Sequence, residues 1–164
     1  MTTHTNLQLI QYKTIHRFHI TQSKMFKMGL VDSEICSQCK LKNIDTYLHA
    51  LWSCTPVYSF WTAITHELSL ILGCEIPLSP LLCLLGDASD ISLPSGYVNA
   101  LLVSLTIAKK IIFQNWKTKE NCHISHWKNI LQNYISIEKT SAHSQNKISA
   151  FNDTWNKFTT YLVR

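Results

Sequence analysis

"ICSQCKLKNIDTYLHALWSC", residues 35–54, gathers Cys36, Cys39, His49 and Cys54 into one short stretch of an otherwise apolar and basic chain. The spacing is C-x2-C-x9-H-x4-C. A CxxC turn puts two thiolates on one side of a tight loop, and a His and a Cys beyond it can complete a tetrahedron. Three sulfurs and one imidazole favour Zn(2+) over magnesium or calcium on ligand softness. With four protein ligands no position is left for water, so such a metal supports a fold and performs no catalysis. Two other readings compete with this one: a redox-active CxxC, or thiols that are simply buried. His49 and Cys54 set a geometric condition. Five residues apart on an ideal helix, they point about 140 degrees apart, so convergence requires the helix to loosen near Cys54, next to Pro56.

Helical periodicity flanks this stretch. Residues 7–28 place Ile15, Phe18 and Met25, with Tyr12 and His19, toward one side, and a break at Ile20-Thr21 divides them into two helices ended by Gly29. Asn43 or Asp45 can cap a short helix through "TYLHALWS", and Pro56 stops it or begins the next. Residues 57–72 carry Phe60, Trp61, Ile64, Leu68, Ile71 and Leu72 at helical spacing, closed by Gly73. Residues 74–96 read as an irregular connector with a short apolar helix at Leu81 to Leu85. Residues 97–116 form the longest helix, apolar almost all round and therefore central. Two further helices are marked by Trp127, Ile130, Leu131, Tyr134 and Ile135, and by Ile148, Phe151, Trp155, Phe158 and Leu162. The expected fold is all-α: a zinc-stabilised loop-helix module packed with a multi-helix domain. Its expected segments are 1–30 (basic, amphipathic), 31–73 (metal module and aromatic helix), 74–96 (connector) and 97–164 (C-terminal helices).

Composition narrows the function. The 164 residues are 46% hydrophobic and only 15% charged, so part of the surface is expected to face a partner. A formal charge of +5 favours anionic partners modestly, and four glycines are too few for a glycine-rich phosphate cradle. The apolar run through residues 97–116 is interrupted by Asn99, Lys109 and Lys110 before membrane-spanning length, and the start lacks a signal-peptide pattern, so an intracellular protein with reduced thiols is expected. Cys74, Cys83 and Cys122 lack partner spacing and read as small core residues. Lys13, Arg17, Lys24 and Lys27 form the densest basic segment, which Lys40 and Lys42 extend; this stripe suits a phosphate backbone, or else is an ordinary solvated face. Lys109, Lys110, Lys117 and Lys119 make a second candidate patch, with solvation of an apolar helix as the simpler reading. The five tryptophans fall mainly on apolar faces and read as core.

Catalytic groups are harder to find. His66 with Glu67, and Cys122 with His123 and His126, lack a third orienting group. Asp32, Asp45, Asp87, Asp90 and Asp153 are all isolated, which leaves a two-metal polymerase or nuclease centre without evident ligands. No enzyme activity is expected.

Three phrases, "YKTIHRFHITQSKMFKMG", "CSQCK" and "YLHALWSCTPVYSFW", followed by "ALLVSLTIAKKIIFQNWK" and "FNDTWNKFTTYL", resemble the C-terminal segment of reverse transcriptase polyproteins from non-LTR (LINE-type) retrotransposons. The resemblance runs over nearly the whole chain. It implies that Cys36, Cys39, His49 and Cys54 bind metal, that the segment assists RNA binding, and that reverse transcription is performed elsewhere in the polyprotein. The same resemblance implies a docking role for the apolar helices against reverse transcriptase domains, or a transposon-derived fragment without a selected function. Thr55, between Cys54 and Pro56, departs from the family's pattern and shifts the following helix start by one residue.

Overall fold

Pro56 in the first turn and Gly73 beyond the last delimit an 18-residue helix, Thr55–Leu72, here α3. Proline suits the first turn because its missing N–H would have no partner there, and Gly73 adopts the left-handed conformation (φ 72°) that ends a helix without steric cost. Its buried stripe is Val57, Phe60, Trp61, Ile64, Leu68, Ile71 and Leu72. In this computed structural model, which describes residues 5–39, 41–118 and 120–162, α3 is preceded by α1 (Thr5–Ile15), α2 (Gln22–Lys27) and a π-helical turn, His49–Ser53. A second π turn, Leu81–Leu85, leads into α4 (Ser95–Thr118), α5 (Ile124–Ser144) and α6 (Ile148–Leu162). The described residues are all-helical, with one isolated antiparallel bridge, Ile35 to Ile44, and no strand.

The centre belongs to α4. Ala100, Leu101, Val103, Leu105, Ile107, Ala108, Ile111 and Ile112 are all buried, because this helix is packed by α1, α3, α5, α6 and both π turns. Length and composition alone would let Ser95–Trp116 cross a membrane, but 61% of its apolar window is buried against other helices, as in a core helix. Gly96 permits the close start of α4 against α6: a Cβ there would lie 2.8 Å from the Asp153 carbonyl oxygen. Trp127 of α5 is fully buried and donates its indole N–H to the Ser104 carbonyl of α4 at 3.0 Å. Lys157 of α6 donates to the Leu72 carbonyl, a cation at the negative end of α3. Cys36, Cys39 and Cys54 thus share one hydrophobic cluster with α3, α4, α5 and α6.

Several expectations need correction. Ile15 (52% exposed) and Phe18 (59%) do not face the core; α1 buries Leu7 and Thr14 instead and ends at Ile15, where Arg17 takes a left-handed conformation (φ 52°) and turns the chain. Trp61, Trp127 and Trp155 are buried, whereas Trp52 and Trp116 are half-buried. Lys109 does not solvate α4. It is 2% exposed, donating Nζ to Gln11 Oε1 and, at 3.3 Å, to the Leu84 carbonyl. The second basic patch therefore loses its first member, and the Lys117 side chain and Lys119 lie outside the described residues.

Burial pulls the Lys109 ammonium from its ordinary 10.5 down to about 8. Between those values the folded chain binds fewer protons than the unfolded one, so stability from this site rises with pH and the penalty is greatest below pH 8. The full penalty is on the order of 3 kcal/mol. Lys109→Met, which fills similar space without charge, is expected to stabilise the fold at pH 7 by about 1–3 kcal/mol. The Leu84 carbonyl keeps the Gln11 amide as a donor at 3.2 Å. Urea denaturation at pH 7 and pH 10 checks this: the gap between variant and wild type should shrink at the higher pH.

Candidate metal centre

Two local devices bring the four side chains together. The first is the turn holding Cys36 and Cys39. The Cys36 N–H donates to the Asn43 carbonyl at 2.8 Å and the Asp45 N–H to the Glu34 carbonyl at 2.9 Å, closing the loop around the Ile35–Ile44 bridge. Lys42 adopts φ 51° at the turn back, and the Gln38 N–H points at Cys36 Sγ at 3.4 Å. The second device is the π turn. The Cys54 N–H bonds the His49 carbonyl at 2.8 Å, five residues back, so one wide turn separates His49 from Cys54. Cys54 then extends (ψ 128°) and starts α3. The loosening expected near Cys54 is spread over the whole of residues 49–53, and Pro56 begins α3 without terminating the turn. Neither Asn43 nor Asp45 caps this segment. Thr46 does, its hydroxyl accepting from the His49 N–H at 3.2 Å.

The ligand atoms of Cys36, Cys39, His49 and Cys54 all lie within 4.8 Å of one another, and all four residues are buried. Cys36 Sγ is 3.8 Å from Cys54 Sγ, and Cys39 Sγ is 3.4 Å from His49 Nε2. A tetrahedron with metal–sulfur bonds of about 2.3 Å and a metal–nitrogen bond of about 2.0 Å has edges of about 3.8 Å and 3.5 Å, which fits. A disulfide needs about 2.05 Å and does not fit; all six cysteines are free thiols. Burial pushes the Cys54 thiol up, and the neighbouring Cys36 and Cys39 push it further. Burial likewise raises Cys36, and the Asp45 carboxylate adds to it. Cys36 and Cys54 are thus poorly placed to be thiolates alone, whereas a bound cation reverses that preference. His49 Nδ1 faces Ser53 Oγ at 3.5 Å, which leaves Nε2 available to a metal ion. The cluster can hold a metal ion, and it is the one group of this kind among the described residues.

The basic segments are tied to this loop. Asp45, 3% exposed, accepts the Gln22 N–H at 2.9 Å through its carboxylate and the Ser23 N–H at 3.4 Å through its carbonyl, fastening the start of α2. Tyr47 donates its hydroxyl to the Thr14 carbonyl at 2.7 Å, fastening the end of α1. Burial pushes the Tyr47 phenol up to about 12, against the opposing pull of Arg17. Lys13, Arg17, Lys24, Lys27 and Lys42 are all exposed and have no carboxylate partner among the described residues, whose one ion pair is Lys128 to Glu67 at 2.9 Å. Lys40 lies outside the described residues. The positioning roles of Asp45 and Tyr47 carry no sequence signal, since their partners are 23 and 33 residues away.

The remaining candidates do not assemble. Glu67 accepts the Tyr161 hydroxyl at 3.0 Å besides pairing with Lys128, so it braces α3 against α5 and α6. Cys122 is half-buried while His123 and His126 are exposed, and these three form no ligand cluster. No protein-family model and no curated protein matches the chain.

Proposed function

We propose that the protein is a zinc-stabilised, non-catalytic module that binds RNA through phosphate contacts. The donor set Cys36, Cys39, His49 and Cys54 favours zinc on softness and would use every position of a tetrahedral ion, leaving none for substrate. Such a metal holds the loop that anchors both basic helices. The observation that carries the reading is the set of exposed, carboxylate-free cations Lys13, Arg17, Lys24, Lys27 and Lys42 on segments fastened to that loop. Charges of this kind neutralise phosphates without reading bases. The resemblance to LINE-type reverse transcriptase tails points the same way and assigns polymerisation to another part of such polyproteins.

The test is fluorescence anisotropy with single-stranded RNAs of unrelated sequence across a salt series. Affinity should fall steeply with salt, since each neutralised phosphate contributes about −0.7 to the slope of log affinity against log salt. Replacing Lys13, Arg17, Lys24 and Lys27 together by glutamine should weaken every RNA alike and flatten the slope by about 3. Unchanged affinity at low salt would remove this surface from the proposal.

A further inference from the structure

The surface between α1 and the Leu81–Leu85 turn is apolar and open. Tyr12, Ile15, Leu48, Leu81 and Leu85 are each between 52% and 56% exposed. They line two adjoining grooves. One, of about 320 Å³, runs beside Tyr12, Ile15, Leu85 and Leu102; the other, of about 450 Å³, runs beside Ile15, Leu48, Leu81 and Leu85. Ile15 and Leu85 belong to both, so the grooves form one continuous apolar face. A face of several large side chains at this exposure is unusual for a surface that meets only water.

Charge and backbone chemistry select the occupant. Among the described residues, the only charged side chains lining the two grooves are Arg17 and Lys109, both cations, and no carboxylate lines either. Lys109 sits at the buried floor, while Arg17 stands at the exposed end. No strand borders the grooves among the described residues, so an extended peptide would find no edge to pair with. A helix, which satisfies its own backbone, suits such an apolar groove. We infer that this face is a docking groove for an amphipathic α-helix of a partner protein, with leucine-type anchors in the grooves and acidic residues flanking them toward Arg17. The groove shares Arg17 with the proposed RNA surface, but Leu81 and Leu85 belong to neither the ligand set nor the basic segments, so a variant of these two leucines tests the groove separately from RNA binding.

The probe is a fluorescein-labelled peptide of about 16 residues, long enough to hold a helix, with leucines at i, i+4, i+7 and i+11 and glutamates on the flanking positions. Its control carries lysines in place of the glutamates. The intact protein should bind the acidic peptide at least about tenfold more tightly than the basic one. Leu81→Asp combined with Leu85→Asp alters exposed side chains, so circular dichroism should be unchanged while peptide affinity falls at least about tenfold. Arg17→Glu should narrow or reverse the preference between the two peptides. Equal binding of both peptides would overturn the proposal, as would undiminished binding by the double variant. Self-association of the wild type that the double variant abolishes, without peptide binding, would instead make a second copy of the chain the occupant.

Discussion

Cys39→Ser is expected to abolish metal binding and unfold the loop it anchors while leaving the C-terminal helices in place. Serine is a poor ligand for a soft site, and Cys39 is one of four donors that must converge at once. Structural zinc in small modules contributes on the order of 10–16 kcal/mol of binding energy, which becomes folding energy where no site exists in the unfolded chain. The loop has little else to hold it. Among the described residues of 31–45 there are one isolated bridge and few backbone bonds, and the buried side chains are the ligands Cys36 and Cys39 with Asp45. Hydrogen exchange should therefore show residues 31–54 losing protection in the variant, and in wild type treated with a zinc chelator. The buried stretches of α4, α5 and α6 should keep theirs, since Trp127, Leu131, Trp155 and Phe158 pack far from the ligands in sequence. Retained protection of the loop after chelation would make the metal dispensable.

Trp61→Ala is expected to destabilise the protein by about 3–5 kcal/mol, the cost of removing a fully buried aromatic from a packed core. Trp61 is 0% exposed, touches Trp52 and Phe60, and donates its indole N–H to the Leu51 carbonyl at 2.9 Å. That bond joins α3 to the π turn carrying His49. Trp61→Phe keeps most of the volume and loses the donor, so about 1–2 kcal/mol is expected from the hydrogen bond. The substitution should also weaken metal affinity, since the turn bearing His49 loses its tether. Urea denaturation together with a zinc-chelator competition separates the two effects. Full metal affinity in Trp61→Phe would show that the turn is held by its ligands alone.

The Cys3His cluster was legible because its information is local: its three successive spacings each span fewer than a dozen residues, and a CxxC turn constrains its own geometry. The helices were legible for the same reason, through the periodic stripes of α3, α5 and α6 and the all-round apolar character of α4. The incompatibility of His49 and Cys54 on a regular helix was also readable, and the π turn resolves it. Illegible features depend on distant partners. Nothing in "AKK" shows that Lys109 is covered by Gln11, 98 residues away, while Lys110 is half-exposed. Tyr12, Ile15 and Phe18 have the spacing of a buried face, yet α1 turns Leu7 and Thr14 inward, since its neighbours are α4 and the Leu81–Leu85 turn. Asp45 resembles a cap for the segment after it, and instead holds the N-terminus of α2.

The most direct test of the central claim is native mass spectrometry of protein produced in reducing, zinc-supplemented medium, with the same sample measured in denaturing acid. One zinc per folded chain, released in acid and absent from Cys39→Ser, is the predicted result. A well-folded wild-type chain that carries no metal under these conditions would contradict the account, because the buried cluster of Cys36, Cys39, His49 and Cys54 would then be held by packing alone.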